Sequence, residues 1–346
     1  MNTAARYELL DPADKRWQAY LAAKPDVNIF QHPAWLHLLS ECYGYRSFIL
    51  AVKNYADDIC GGLPLVDVRS LLTGARWVSL PVSDYSLPLY DDENVLEYLV
   101  DALVDLTQTM KAPKIEIRAP LPEHRAICTY TNFVMHSLKL FPDAKATMAQ
   151  FHRNHRQNIQ TAEKRGVQIE RGVSLEQMRA FYRLQVETRH RHGLPVQPWR
   201  YFRLLTSLIL QHDLGFILLA SKDAEYLAGA VFLHWGQTLT AKYAASQQDA
   251  LQFRPNELIF WTAMQWGSAN GFTVFDMGRT ECVNEGLREY KRRWGAQEIP
   301  LPYSVVAGKN LPSTTGKSME IMQKVIARAP TWVCRAAGEL LYPHFV

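Results

Sequence analysis

The amino-acid sequence predicts an α/β protein with two similar domains, each a mixed, largely antiparallel sheet flanked by helices. An apolar block at residues 48–65 contains Phe-Ile-Leu, one later aliphatic residue and a run that begins with glycine. The same pattern recurs with identical spacing at residues 216–233. Around both blocks, helix and strand patterns follow the same order. Such a duplication predicts two similar domains with a cleft between them, where polar groups can converge on a ligand.

The first half shows helical and strand periodicities in turn. Apolar runs on either side of Asp57-Asp58 predict a hairpin. Acidic residues near position 94 favour the start of a helix there. The predicted elements are a helix at 33–43, strands at 47–53, 59–68 and 76–81, a helix at 94–110 and a strand at 114–118.

The second half repeats this order. Its predicted elements are strands at 215–221, 226–235 and 238–246, a helix at 256–270 that Gly271 ends, and a strand at 273–276. A helix rich in His and Arg, at 151–166, separates the halves. The predicted domains are 1–150, 151–306 with the active site, and a helical tail at 307–346. Within the tail we expect a polar linker at 308–316 and a helix break at Pro330.

Composition and charge are those of a globular protein of the reduced cytosol. The chain has 346 residues, 48% of them hydrophobic, and its formal charge of +4 is too small to indicate a nucleic-acid binder by itself. The five cysteines form no Cys-x-x-Cys pair, so neither a disulfide framework nor a zinc ribbon is indicated. The N-terminus lacks an apolar signal core, and no stretch approaches the ~20 apolar residues that span a bilayer. We therefore expect a cytoplasmic protein without a metal site.

Candidate catalytic and binding residues lie close together near the end of the second half. Residues 275–281 are predicted as a strand that ends in a glycine-containing loop, the place where open α/β sheets bind ligands. In the following helix, Leu287, Tyr290 and Trp294 form an inward stripe with Lys291 beside it. Lys291 is therefore expected to point to the interior or to a cleft edge. A lysine that snorkels from the helix rim is the alternative.

At these residues the sequence resembles the FemAB family of aminoacyltransferases and its GNAT relatives, including BioF2-like acetyltransferase domains. The resemblance rests on Asp276-x-Gly278, on the run 286–295 that includes Tyr290-Lys291, and on the upstream segment 158–167. It covers most of the chain, from about residue 30 to residue 303. That family is built from two GNAT-like domains, in agreement with the internal repeat. The resemblance thus implies two tandem GNAT-like domains.

The resemblance implies acyl transfer to an amine of a cell-envelope or exopolysaccharide precursor. The donor would be aminoacyl-tRNA or acyl-CoA, used as a co-substrate and not as a tightly bound cofactor. In the family, the aromatic–lysine pair of the last helix lies at the active site, and it corresponds here to Tyr290 and Lys291. A cation at this place would stabilise the oxyanion of the tetrahedral intermediate or hold a phosphate of the donor.

The sequence does not single out a general base. The candidates are Asp276, Glu281, Glu285 and Tyr243, each of which could equally be a strand-end or helix-start residue. Arg279 and Tyr243 are expected to bind substrate in the second domain. In the first domain, Asp84 and Tyr85 are expected to end a strand and to contact the acceptor, with simple turn chemistry as the alternative.

The sequence lacks the glycine-containing loop that would bind a CoA diphosphate, and this absence bears on the identity of the acyl donor. Ordinary GNAT enzymes cradle the CoA diphosphate with a glycine-containing loop, whereas residues 247–256 contain no glycine. A donor held in another way is therefore expected, and a basic helix face could hold tRNA phosphates. That face comprises Arg153, Arg156, Lys164 and Arg165, which an ordinary solvated surface would explain as well.

Two other functions stay open at this point. One is an acyl-CoA-dependent N-acetyltransferase with an atypical CoA site, and the other is a non-catalytic protein that binds glycans or peptides. The C-terminal helix carries Lys324, Arg328 and Arg335 among apolar residues. We expect it to pack on the first domain, and the alternative is a peripheral contact at the inner membrane face.

Overall fold

The computed structural model describes residues 6–24, 27–70, 74–110, 114–306 and 317–345; the predicted linker at 308–316 lies outside them. Contacts within the chain define two compact units. The first unit comprises 1–134, 300–313 and 343–346, and the second comprises 135–299 and 314–342. The contact-defined limits lie within two strands, each of which runs from one unit into the other. The predicted domains end instead after residues 150 and 306, and those domain limits remain a prediction.

The first unit begins with an antiparallel sheet. Its elements are β1 (Arg6–Leu10), α1 (Lys15–Ala22), α2 (Pro33–Tyr43), β2 (Arg46–Lys53), β3 (Ile59–Ser70), β4 (Gly74–Val78), β5 (Leu89–Tyr90), α3 (Glu93–Thr109) and β6 (Lys114–Ile117). The strands lie in the order β1-β2-β3-β4-β6, and every neighbouring pair is antiparallel except β4 and β6, which are parallel. Strand β7 (Ile127–Lys139) then leads into the second unit.

The second unit has the same arrangement. Its elements are α4 (Ala144–Ala149), α5 (Arg153–Lys164), β8 (Gln168–Gly172), α6 (Leu175–Arg191), α7 (Trp199–Leu208), β9 (Gly215–Lys222), β10 (Glu225–Trp235), β11 (Thr238–Ser246), α8 (Pro255–Ala269), β12 (Val274–Glu281) and α9 (Glu285–Arg292). The strands lie in the order β8-β9-β10-β11-β12. Again only the last pair, β11 and β12, is parallel. Strand β13 (Gln297–Val306) leads back to the first unit, and α10 (Lys317–Arg328) and α11 (Thr331–Phe345) complete the chain.

The predicted duplication is confirmed at the level of strand order. Phe48 lies in β2 opposite Leu65 of β3, and Phe216 lies at the equivalent place in β9, opposite Phe232 of β10. In each unit a long helix, α3 or α8, connects the two strands of the parallel pair. The predicted α/β fold, with the same strand order in both units, is therefore correct.

Two predicted strand ends are wrong, and both concern candidate site residues. Strand β12 continues to Glu281, so Asp276 and Arg279 lie inside the strand and not at its edge. Glycine had indicated an early end, but Gly278 is accommodated within the strand in a left-handed conformation with φ of 69°. In the first unit, β4 ends at Val78, so Asp84 and Tyr85 belong to the loop that follows it.

The core of the second unit fixes the helices that carry the candidate site. Phe216, Phe232 and Phe275 of the sheet are fully buried, as is Trp294, which follows α9 directly. The Phe260 ring of α8 stacks on the Trp294 ring, with centroids 6.0 Å apart. Large aromatic side chains dominate core energetics, so Trp294 anchors the end of α9 and thereby the residues just before it.

The C-terminal helices belong to the second unit as far as Tyr342, which corrects the expectation that they pack on the first. The Cys334 thiol donates to the Leu194 carbonyl at 3.2 Å. Gly338 lies so close to the Val196 carbonyl that a Cβ atom would approach it to 1.7 Å. The predicted break at Pro330 is confirmed, since α10 ends at Arg328 and α11 begins at Thr331. Among the described residues, the helices lack the length and apolar character needed to span a bilayer.

Candidate active site

The two parallel strands of the second unit separate partway along their length. Strands β11 and β12 pair from Thr238 and Val274 to Thr240 and Asp276, although both strands continue beyond this point. The register between β10 and β11 shifts here as well, which leaves Lys242 as an extra residue of β11. Such a bulge bends a strand and increases its twist. The separation opens the sheet between β11 and β12.

A cavity of about 360 Å³ lies at this opening, within the second unit. Small residues of β11 supply one wall, and Met277 of β12 supplies another. Helices contribute the remainder, including Tyr290 and Lys291 of α9. The full lining is Thr188, Arg191, His192, Ala241, Ala244, Ala245, Ser246, Asn256, Phe260, Met277, Leu287, Tyr290 and Lys291. The alanines leave room for a ligand between the strands.

Lys291 is buried at the wall of this cavity, with only 7% of its surface exposed. Its Nζ donates to the Gly278 carbonyl at 2.9 Å and to the Arg279 carbonyl at 3.2 Å. The predicted inward direction is confirmed, and a lysine that snorkels into solvent is excluded. A buried ammonium held by backbone carbonyl oxygens is a fixed positive charge in a region of low dielectric constant.

Asp276 fixes the position of the Gly278 peptide, whose carbonyl accepts a hydrogen bond from Lys291. It is 1% exposed, and its Oδ1 accepts from the Gly278 N–H at 2.7 Å. Gly278 has a positive φ, which glycine adopts at no steric cost. Because Asp276 fixes the Gly278 peptide and Lys291 binds the Gly278 carbonyl, the three residues form one hydrogen-bonded network. Asp276 therefore fits the role of a positioning residue better than that of a general base.

Helix α9 is held in place by a network of ion pairs that sequence analysis missed. Arg288 donates to both carboxylate oxygens of Glu298, at 3.0 and 2.7 Å. His136 contacts the same carboxylate through Nε2 at 3.0 Å. The Arg288 guanidinium holds the pKa of Glu298 below its usual range. The alternation of Glu and Arg at 285–293 is visible in the sequence, but the distant partners His136 and Glu298 are not.

Tyr290 lies between aromatic neighbours and two cavities. Its backbone carbonyl accepts from His155 Nε2 at 3.2 Å, and the His155 ring stacks on Trp294 with centroids 4.2 Å apart. Burial raises the pKa of Tyr290 and lowers the pKa of His155 to about 4. At neutral pH the phenol therefore keeps its proton and can serve as a hydrogen-bond donor, whereas the imidazole is uncharged.

A second cavity, of about 520 Å³, lies at the first turn of α8 and shares Tyr290 with the first cavity. Its lining is Asn154, His155, Gln157, Asn158, Arg254, Glu257, Gly286, Glu289, Tyr290 and Arg293. Glu257 is 8% exposed, and its carboxyl accepts from the Asn158 amide at 3.0 Å. Burial raises the pKa of this carboxyl. Sequence analysis missed Glu257, because a glutamate in the first turn of a helix is ordinary.

The other predicted residues lie at different places. Arg279 is half-buried in β12, and its carbonyl belongs to the Lys291 contacts. The Tyr243 hydroxyl donates to the Tyr201 hydroxyl at 3.0 Å, and Tyr243 does not line either cavity. Arg156 is exposed on α5. Asp84 and Tyr85 belong to the first unit, where Tyr85 packs edge-on against Phe30.

Comparison with known proteins places this geometry in a class. Residues 149–292 match the family described as an acetyltransferase (GNAT) domain. Over these residues the second unit is similar to a GNAT domain, and the predicted resemblance is confirmed. The FemX crystal structure has a TM-score of 0.70 at 16% identity, with 86% of this chain and 96% of that chain covered. A tandem GNAT protein from the clavulanic acid pathway has a TM-score of 0.53 at 9% identity, with 88% and 99% covered.

The sequence relatives include two kinds of aminoacyltransferase. The chain is 24% identical to the UDP-N-acetylmuramoylpentapeptide-lysine N(6)-alanyltransferase of Weissella viridescens over 174 residues, 49% of this chain and 50% of that protein. It is 29% identical to the lipid II:glycine glycyltransferase of Staphylococcus epidermidis over 92 residues, 25% of this chain and 22% of that protein. The chain thus spans half or less of the length of these curated relatives.

Proposed function

We propose that this protein is an N-acyltransferase that moves an acyl or aminoacyl group onto an amine of a cell-envelope or exopolysaccharide precursor. The observation that carries the proposal is the cavity between β11 and β12, where Lys291 and Tyr290 meet the opened sheet. The cavity lies within the residues that match the GNAT domain. The named activities of the relatives, alanyl and glycyl transfer, are of the same reaction class.

The residues of this cavity suit attack of an amine on an ester or thioester carbonyl. The new C–N bond creates a tetrahedral oxyanion, and the carbon–oxygen or carbon–sulfur bond to the donor then breaks. The proton that the amine loses is balanced by the proton that the departing oxygen or sulfur gains. The Lys291 ammonium would stabilise the oxyanion, because its position and charge are fixed before the reaction. Tyr290 would donate a hydrogen bond from its protonated phenol. Holding the amine against the carbonyl supplies much of the remaining catalysis, so that no covalent enzyme nucleophile is needed.

An aminoacyl-tRNA is the donor that we favour. The loop after β11 forms a 3-10 turn at Asp249–Phe253 and reaches α8 through Arg254 in a left-handed conformation. A diphosphate at the start of α8 would meet the buried Glu257 carboxyl, which opposes an anion there in its ionised form. On α5, Arg153, Arg156 and Lys164 are exposed and available to phosphates.

Acyl-CoA is the second candidate donor. Arg254 and Arg293 line the cavity at the first turn of α8 and offer two guanidinium groups to phosphates. The match to an acetyltransferase family also favours it. The two donors differ in how many phosphates need partners, and hence in the salt dependence of binding.

The acceptor follows from the relatives by analogy. One relative is named for a lysine of a UDP-linked muramoyl pentapeptide and the other for lipid II. We propose an amine-bearing precursor of this kind for the present protein. A lipid-linked precursor would require a peripheral contact with the membrane, and we propose that the C-terminal helices provide it.

A comparison of donors tests the proposal. Purified protein is incubated with charged tRNA or with acetyl-CoA, together with amine acceptors, and transfer is followed with a labelled acyl group. We expect transfer from charged tRNA, with binding that weakens by about 0.7 to 0.9 log units per phosphate contact for each log unit of salt. Transfer from acetyl-CoA with a shallow salt dependence would support the second candidate. No transfer and no donor binding would leave a non-catalytic binding protein.

A further inference from the structure

The outer face of the two C-terminal helices carries large apolar side chains in solvent. Val325 of α10 is 56% exposed, and Trp332 and Leu340 of α11 are 65% and 71% exposed. The opposite face is already occupied, since Ile326 and Cys334 are 2% and 0% exposed against the second unit. The outward residues therefore contribute nothing to the core. Trp332 and Leu340 are eight residues apart on one side of α11, or about 12 Å along the helix.

Basic residues share this outer face. Lys324 and Arg328 of α10 and Arg335 of α11 are all exposed. Glu339 is the acidic residue that lies among them on α11. A helix that combines exposed tryptophan and aliphatic residues with Lys and Arg is typical of binding to the surface of a bilayer. Tryptophan in particular is enriched at the level of the lipid headgroups.

A groove beside this face provides a place for a charged headgroup. It has a volume of about 580 Å³ and lies between α6, the start of α7 and the start of α11. Arg179 and Arg183 of α6 and Arg335 of α11 line it. The rings of Tyr182 and Trp199, with centroids 5.1 Å apart, line it as well.

The charges of the groove leave an excess of cations. Glu176 and Glu187 line the groove together with the three arginines. Arginine is suited to the phosphate group of a lipid because its planar fork can donate two parallel hydrogen bonds. Arg335 belongs to both the groove and the outer face, so an anionic headgroup in the groove would place its acyl chains beside Trp332.

We propose that α10, α11 and this groove form a docking surface for a membrane that contains anionic phospholipids. In the docked state Val325, Trp332 and Leu340 enter the headgroup region. Lys324 and Arg328 face the negative surface, and the groove binds one phosphodiester headgroup. The inference rests on the proposed function in one respect: membrane docking would bring the active site to a lipid-linked acyl acceptor.

A bilayer fits this surface better than a protein or a nucleic acid does. The three apolar side chains are separated from one another by charged residues, whereas a protein interface concentrates apolar residues in a buried centre. A nucleic acid would find the phosphate partners of the groove, but the aliphatic side chains of Val325 and Leu340 offer it nothing. An anionic lipid surface uses both kinds of residue at once.

Co-sedimentation with vesicles tests the inference without any turnover. The full chain is mixed with vesicles of phosphatidylcholine alone or of phosphatidylcholine and phosphatidylglycerol in a three-to-one ratio. We expect binding to the anionic vesicles that weakens as salt is raised. Arg335→Gln should lower the partition coefficient about fivefold. Trp332→Ala should lower it roughly tenfold, because partitioning scales with buried apolar area.

Matched variants separate the docking surface from general charge and hydrophobicity. Arg203→Gln removes an exposed arginine of α7 that does not line the groove, and Tyr55→Ala removes an aromatic residue that is 69% exposed in the first unit. Both should bind like the wild type, and far-ultraviolet circular dichroism should show all four variants folded. No binding to anionic vesicles, equal binding to neutral ones, or unchanged binding of Trp332→Ala and Arg335→Gln would each overturn the inference. Failure here leaves the acyl-transfer proposal standing, because the assay contains neither donor nor acceptor.

Discussion

Lys291 is the residue on which the proposed chemistry depends most. Its inward direction follows from the sequence, since it lies beside the stripe of Tyr290 and Trp294 on a short helix. Its partners do not follow from the sequence. The Gly278 carbonyl meets Nζ only because Gly278 adopts a positive φ within a strand, and a glycine in this position had indicated the end of that strand. The prediction of an inward side chain is wrong for Leu287, which is 39% exposed and lines the open cavity.

Replacement of Lys291 should reduce catalysis more than folding. Lys291→Gln removes the fixed cation, and loss of one oxyanion donor typically lowers kcat by 10²- to 10³-fold. The lost bonds to two carbonyls should also reduce the free energy of unfolding by about 2 kcal/mol. Turnover is therefore measured well below the unfolding temperature of the variant. Lys222→Gln, at the half-buried end of β9 and outside the cavity lining, is the matched control and should retain wild-type turnover. Wild-type rates in Lys291→Gln would remove the lysine from the mechanism.

Two substitutions at Asp276 distinguish positioning from base catalysis. Asp276→Asn keeps an oxygen that can accept from the Gly278 N–H, whereas Asp276→Ala leaves that buried N–H without its partner. An unpaired buried donor costs about 1–3 kcal/mol, and movement of the Gly278 peptide would also displace Lys291. We expect turnover to fall at least tenfold in Asp276→Ala and only a few-fold in Asp276→Asn. Equal, large losses in both variants would instead identify Asp276 as the base.

His155 makes the stability of the second unit dependent on pH. Burial lowers the pKa of His155 to about 4, below the ordinary value near 6.5. Between these values the unfolded chain binds a proton that the folded chain does not. The free energy of unfolding should therefore fall as the pH falls from 6.5 to 4, by up to about 3 kcal/mol. His155→Phe keeps an aromatic ring against Trp294 and should make this dependence less steep in urea unfolding, while His136 and His234, whose pKa values burial also lowers, keep their contributions. A slope identical to that of the wild type would contradict the assignment.

At the scale of elements, the sequence predicts which helices and strands form better than it predicts how neighbouring strands are arranged. Helix α2 and strand β11 have the predicted limits, because their apolar periodicity is uninterrupted and turn residues flank them. The opening between β11 and β12 is not predictable in this way. It depends on a bulge at Lys242, which interrupts the register between β10 and β11 without any glycine or proline to mark it. The cavity between β11 and β12 forms beside this bulge, which the sequence does not indicate.

The orientation of α9 should depend on the pair of Arg288 and Glu298. The two side chains are 22% and 19% exposed, and the contact is bidentate, so it should be stronger than an ordinary surface pair. A double-mutant cycle with Arg288→Gln and Glu298→Gln should give a favourable coupling free energy in unfolding. Turnover should fall in both single variants, since Tyr290 and Lys291 lie on the same helix. Absence of coupling would show that this pair does not fix the orientation of α9.

At the scale of the whole molecule, the internal repeat predicted the architecture. Identical spacing in two apolar blocks was sufficient to indicate two sheets of one design, and both units have four antiparallel strands followed by a parallel fifth. The same reasoning did not predict where the C-terminal helices pack. An amphipathic helix needs an apolar partner, but its periodicity does not identify which unit supplies one. Close approach at Gly338 is what selects the second unit.

The central claim is that acyl transfer takes place in the cavity between β11 and β12. The measurement that tests it most directly is the rate of acyl transfer by Ala244→Trp. Ala244 is exposed on β11 and lines the cavity, so an indole there should fill the space without disturbing the core. Ala75→Trp, at an exposed position of β4 in the first unit, is the matched control. The account predicts at least a 100-fold loss for Ala244→Trp at an unchanged unfolding temperature, because a misplaced substrate loses its near-attack geometry. A wild-type rate in this variant would contradict it.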